Sequence, residues 1–169
     1  MNNSIDKDAF RDGMAMLGGA VAIITSAGAS GRVGMTASAV CSVTDTPPTL
    51  LVCINRNAWT HGQFVDNGVL CVNVLGADQA ALSGRFANRE ITMPQRFISH
   101  GWSELATGAP ALDGALVSFD CRIVTSHDVG SHTVFYGEVL AIRHGEKRGG
   151  LVWFNRDYHQ LAPVIPLQP

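Results

Sequence analysis

The chain has 169 residues, enough for one domain at about 100 to 200 residues each, so a dinucleotide-binding domain beside a separate substrate domain does not fit. Apolar residues make up 46% and charged residues only 15%, against about 25% charged in an average soluble domain; the apolar excess calls for a further partner, most simply a second copy of the chain. Twelve Lys and Arg against fourteen Asp and Glu, with no basic block, argue against nucleic acid.

The polar N-terminus, MNNSIDKDAFRD, lacks the cationic start and apolar stretch of a signal peptide and points to the cytoplasm. From Asp6 to Leu17 the apolar residues Phe10, Met14 and Leu17 keep helical spacing, and Gly18-Gly19 ends one short amphipathic helix. No residue from Gly13 to Gly31 is charged, but the glycines, Ser and Thr in that stretch read as a helix end, a buried strand and a turn rather than a membrane span. The segments Val21 to Thr25, Met35 to Val43, Leu50 to Ile54 and Leu70 to Leu75 read as strands, with Pro47-Pro48 in a connection. The spacing of Gly28, Gly31 and Gly34 fits neither the Rossmann fingerprint nor the P-loop and reads as a hairpin turn.

Short helices are expected between Ile54 and Leu70 and from Asp78 to Phe86, with Asp78 as N-cap. Asn88 to Pro110 shows no clear period. Val117, Phe119, Cys121 and Ile123 alternate with Ser118, Asp120 and Arg122, the pattern of a half-buried strand. Thr133 to Arg143 is a long strand and Leu151 to Phe154 a last short one. Cys41, Cys53, Cys71 and Cys121 each sit in an apolar run and read as reduced core thiols. Six or seven closely spaced strands with brief helices favour a closed antiparallel barrel over a doubly wound sheet.

No motif of metal or serine hydrolysis occurs, and the six histidines are scattered, so no metal site is expected. The informative stretch runs from Gly34 to Thr60. Small residues there would let backbone N–H groups approach a planar heterocycle, and a strand end rich in Asn, Arg and Thr suits a phosphate. The same run also reads as a Ser/Thr-rich hairpin with a polar turn, and pattern alone leaves the two even.

In order, the chain carries FRDGMAMLGGAVAIIT, MTASAVCSVTDTPPTLLVCIN, LCVNVL, Arg85-Phe86-Ala87, ALVSFDCRI, Gly130-Ser131-His132 and LVWFNRDYHQL. Over nearly its whole length it resembles the short-chain flavin reductases, the small partners of two-component flavin monooxygenases. The resemblance implies a single mainly β domain: a homodimeric FMN-binding split β-barrel, closed, antiparallel and Greek-key, with short flanking helices. It implies FMN or FAD as cofactor and NADH as co-substrate, with hydride passing from nicotinamide C4 to flavin N5 and no acid–base dyad. Thr36, Ala37, Ser38, Ala39, Val40, Cys41 and Ser42 would line the isoalloxazine, with amides of Ala39 to Val43 and the Ser42 hydroxyl at its pyrimidine edge.

Asn55, Arg56, Asn57 and Thr60 would hold the ribityl chain and phosphate, with Ala58 and Trp59 beside them. Phe86 and Ala87, with Arg85 or Arg89, would meet the rest of the cofactor. His132 matches the histidine of the family's G-D-H triplet near the nicotinamide; Ser131 replaces the Asp, so His132 is expected to position the dinucleotide rather than move a proton. Tyr158 matches a tyrosine that closes over the site, and equally reads as a packed terminal aromatic. Two other functions stay open: a flavoenzyme that keeps its flavin and reduces another acceptor, such as the cobalt of a corrinoid, and a non-catalytic flavin-binding protein.

Overall fold

The computed structural model describes residues 5–162; residues 1–4, the start of the polar N-terminus, and residues 163–169 lie outside the described residues. Asp6 caps α1 (Lys7–Ala15), its carboxylate accepting from the Ala9 N–H at 3.1 Å. Phe10, Met14 and Leu17 form the expected stripe, yet all three are exposed and the helix buries no residue against its own chain. Its end is tied instead, Ala15 O accepting from Asn155 N at 2.7 Å and Asp12 pairing with Arg156.

After β1 (Gly19–Ala20), β2 (Ala22–Ser26) and β3 (Val33–Ala37) form the expected hairpin around the glycine-rich turn. Gly31 takes φ +90° there, a conformation that glycine adopts without strain. The segment read as one strand from Met35 to Val43 is two, because the chain breaks at Ser38-Ala39 before β4 (Val40–Asp45). The Val40 N–H donates to Ser38 O at 3.0 Å, and Ala39 O accepts from Cys53 N of β5 (Pro48–Asn55) at 3.1 Å. Pro48, expected in the connection, opens β5, where a missing N–H breaks no interior ladder.

α2 (His61–Asn67) and β6 (Val69–Val74) follow. Gln79 rather than Asp78 precedes α3 (Ala80–Ala87): its side chain accepts from Gly76 N at 2.8 Å, while Asp78 pairs with Arg148 at 3.0 Å. The segment from Asn88 to Pro110, read as irregular, holds α4 (Met93–Phe97), β7 (Trp102–Glu104) and the start of β8 (Pro110–Leu112). β9 (Val117–Val129), β10 (His132–His144), β11 (Gly150–Phe154) and β12 (Asp157–Leu161) follow among the described residues.

Seven strands make one antiparallel sheet in the order β3-β2-β6-β9-β10-β5-β4; β1, β11 and β12 form a second sheet and β7 pairs with β8. The sheet is not closed, which corrects the closed barrel: β3 and β4 are its edges and do not pair. Three residue steps from Ala37 to Val40 nevertheless span roughly 10 Å at most, so the sheet must curl until its edges meet at that corner. Register shifts between β9 and β10, with Val124 the extra residue on β9 and Leu140 on β10, mark bulges that supply local twist. The core, with Ile24, Val52, Ile54, Leu70, Val72 and Phe135, is fully buried.

The polar face expected on β9 fails at Ser118 and Asp120, both fully buried, because β8 and the loop before it pack over β9. Asp120 accepts from Thr107 N at 2.7 Å and from the Thr107 hydroxyl. Asn73 accepts from Leu112 N at 2.7 Å and from the Ser118 hydroxyl at 2.8 Å, and donates to Ile23 O at 3.1 Å, joining β2, β6, β8 and β9. Cys71 and Cys121 are core thiols; Cys53 is half-buried, and Cys41, read as core, is exposed on β4. Burial and the nearby Asp120 push the Cys121 thiol up to about 12, and burial raises Cys71 and Cys53 as well.

Asn73→Ala orphans several buried groups at once and should lower the unfolding free energy by about 2–4 kcal/mol in urea titration. The thiolate is the nucleophile and a raised pKa keeps a thiol protonated at pH 8, so the four thiols should react with an aromatic disulfide reagent at unequal rates. Cys71 and Cys121 should react only on unfolding; four equal rates would contradict their burial.

Candidate functional site

Three recesses follow one another from the corner where β3 and β4 part. The first, about 220 Å³, is walled by Val21, Ala37, Ser38, Trp153 and Tyr158. Thr36 and Ala87 belong both to it and to the second, about 400 Å³, which takes in Asn55, Ala58, Trp59 and Thr60 from the end of β5 and the turn behind it. Asn57 links the second to the third, about 490 Å³, beside Arg56, His61, Gly130 and Ser131. The result is one trough, apolar at the corner and polar at the far end.

Most of the sequence-predicted residues meet here. Thr36, Ala37 and Ser38 come from the end of β3, Asn55, Asn57, Ala58, Trp59 and Thr60 from the far end of β5, and Phe86 and Ala87 from the end of α3. The Phe86 ring is itself buried, edge-on to Phe97 at 5.1 Å and tilted against Trp102 at 5.6 Å. It lies so close to β3 that a Cβ at Gly34 would come within 2.6 Å of it, so glycine at 34 is what lets α3 pack there. Arg89 lines the second recess, whereas Arg85 donates to Gln95 O at 3.2 Å outside it. Ala39, Val40, Cys41, Ser42 and Val43 run away from the corner along the edge strand, and none lines the trough within one chain.

His132 opens β10 opposite Asn55, which places its exposed ring by the polar end, with Nδ1 2.9 Å from Ser131 Oγ. Asp128 is engaged elsewhere: it accepts from the Thr133 hydroxyl at 2.6 Å and pairs with Arg56 at 3.4 Å. Since Thr133 spends its one proton on Asp128, its oxygen accepts from His61 Nε2 at 2.7 Å, which fixes the imidazole at the trough wall. At the apolar end, the Tyr158 hydroxyl lies 2.8 Å from Ser83 Oγ and its ring stands edge-on to Trp153 at 4.9 Å. Ser83 O in turn accepts from the Thr36 hydroxyl at 2.6 Å, so β12, α3 and β3 are tied around the first recess.

Sequence reasoning missed Val21, Met35, His61, Trp153 and Arg96. Arg96, on α4, lines the second recess although it is buried, and burial lowers its pKa from the ordinary value. The signals that could have marked its helix are Thr92-x-x-Gln95 and Pro94 in its first turn: Gln95 Oε1 accepts from the Thr92 N–H at 3.1 Å and from its hydroxyl at 2.8 Å.

The model of the flavin reductase like domain matches residues 14–162. The chain belongs to the flavin reductase-like family. Within this family it is 55% identical over 157 residues to an FMN reductase (NADH), RutF, of Klebsiella pneumoniae, covering 92% of this chain and 94% of the relative. Among solved family structures, BorF, the flavin reductase component of a bacterial two-component tryptophan halogenase, superposes with a TM-score of 0.87 at 33% identity over 94% of this chain and all of its own. The NADH:FAD oxidoreductase SgcE6 of Streptomyces globisporus, in complex with NAD and FAD fragments, does so with a TM-score of 0.85 at 28% identity over 94% of each chain.

In this flavin reductase-like chain the Tyr158 hydroxyl is a tether of the C-terminal strand. Tyr158→Phe should cost about 1 kcal/mol of stability and speed amide exchange in Asp157–Leu161, with the rest of the sheet unchanged.

Proposed function

We propose that the trough is the site of an NADH-dependent flavin reductase, which passes reduced flavin to a partner monooxygenase. The observation that carries this reading is the polarity gradient: an apolar recess of small residues and aromatics leads to Asn and Thr side chains with Arg89 and Arg96, and no lining residue of these two recesses is acidic. A planar ring with a polyol and a phosphate, FMN or the flavin half of FAD, matches that order of surfaces. The names of the relatives support NADH, flavin and a two-component partner.

Bound flavin supplies a ring position that accepts the hydride given by NADH, so no side chain has to titrate during the transfer. The residues of the chain hold and orient. Ala37 and Ser38 leave room for a flat ring, and Val21 and Trp153 keep water from its face. Asn55, Asn57 and Thr60 offer hydrogen bonds to a polyol and phosphate. His132, held by Ser131 with Asp128 committed to Thr133 and Arg56, positions the dinucleotide.

A homodimer completes the site in this reading. β4 is an unpaired edge, and Phe10, Met14, Leu17, Val43, Leu140 and Ile142 are exposed. A second copy on that edge would bring Ala39 to Val43 against the ring. Among the described residues no helix is long and apolar enough to cross a membrane; the use of NADH supports a cytoplasmic place.

Anaerobic addition of NADH to the protein with FMN or FAD should bleach the visible flavin band; no bleaching with FMN, FAD or riboflavin would sink the reading. His132→Ala should raise the KM for NADH about tenfold with kcat little changed. Sedimentation should give a dimer, and variants that dissociate should lose flavin affinity.

A further inference from the structure

Arg96 is 3% exposed, yet none of the ion pairs among the described residues includes it. Its hydrogen bonds all end on backbone carbonyls: Nε on Ile91 O at 3.1 Å, Nη1 on Gly34 O at 3.1 Å and Phe86 O at 2.8 Å, and Nη2 on Asn88 O at 2.7 Å. These carbonyls solvate the guanidinium without neutralising it, and a buried cation lacking a counter-ion is costly to keep. They also use four of its five donors, which leaves the charge to act mainly through space. It acts on the trough: Arg96 and Arg89 both line the second recess, no acidic side chain does, and Arg96 Cζ lies 5.8 Å from the ring centroid of Trp59 in the same wall. A low-dielectric wall focuses such a field, and a charged ligand responds to it far more than a neutral one.

We propose that Arg96 is a specificity-determining positioning residue, whose uncompensated buried charge makes the trough select a phosphorylated, anionic flavin over uncharged riboflavin. The proposal rests on the reading of the trough as a flavin site. It separates Arg96 from Arg89, which is exposed and screened by salt. The carbonyl bonds would add a second effect, holding β3, the end of α3 and α4 together, and that effect is blind to the charge of the ligand.

The test is the ratio of dissociation constants for riboflavin and FMN, read from flavin fluorescence, in the wild type, Arg96→Gln, Arg96→Lys and Arg89→Gln. The wild type should favour FMN by at least about tenfold, Arg96→Gln should bring the ratio close to one, and Arg96→Lys should keep most of it. Arg89→Gln, which removes an exposed, salt-screened charge from the same recess, should lower the ratio less than Arg96→Gln does, and inorganic phosphate should compete with FMN but not with riboflavin. A wild-type ratio near one overturns the proposal, as does equal weakening of both flavins in Arg96→Gln or loss of the ratio in Arg89→Gln. If Arg96→Gln does not fold, the wild-type and Arg89→Gln ratios still decide. If the wild type binds neither flavin, the reading of the trough itself falls.

Discussion

Only Ser38 and Ala39 separate β3 from β4, yet these strands are opposite edges of a seven-stranded sheet. A chain can meet both conditions only if the sheet curls through most of a turn, and the curl decides where everything else lies. It places the end of β3 beside the far end of β5, the partner of β4, so that Thr36 and Asn55 meet in one recess although nearly twenty residues lie between them. Because the edges touch at a corner and do not pair along their length, the backbone there is held by two bonds, Val40 N to Ser38 O and Cys53 N to Ala39 O. The trough begins at this unzipped corner. Full pairing of β3 with β4 would close a barrel and fill that space with a hydrogen-bonded ladder.

The parts of this arrangement visible in the sequence are those fixed by local pattern. Apolar β-branched runs gave away β2, β5, β6 and β10, and Gly28 to Gly34 the first hairpin. What stayed hidden depends on neighbours distant in sequence. Ser38-Ala39 has no glycine or proline to mark a break, because the break is imposed by the sheet edge. β7 and β8 are three residues each, too short for a period. The β11–β12 turn is Asn155-Arg156, both at positive φ, without the Asn-Gly signature of such turns. Ser118 and Asp120 follow the strand alternation correctly but face β8 and the loop before it instead of water.

The site divides along the same line. Thr36, Asn55, Asn57, Thr60 and Phe86 could be named through resemblance, since their motifs are local. Arg96 could not: nothing in Met-Pro-Gln-Arg-Phe distinguishes a buried cation from a solvated one, and its burial comes from Gly34, Phe86 and Asn88 folding over it. The thin charge of the chain takes on a different meaning here. Its ion pairs, Arg122 with Glu138 among them, have at least one partner well exposed and add little stability. Arg96 stands apart from these as a buried cation that none of the ion pairs among the described residues includes.

Hydride transfer between two stacked rings asks for little chemistry from side chains and much from geometry, since a misplacement of about 1 Å can cost a hundredfold in rate. A chain this small meets that demand only if the walls of its trough are stiff. At one end Thr36, Ser83 and Tyr158 join three elements by side-chain bonds; at the other, Arg56, Asp128, Thr133 and His61 join the turn after β5, the β9–β10 hairpin and α2. In the core, Asn73 ties four strands through a fully buried polar network. Polar residues that look like candidates for acid–base work are thus spent on holding the frame, and in the proposed flavin site this accounts for the lack of a recognisable catalytic dyad in the sequence.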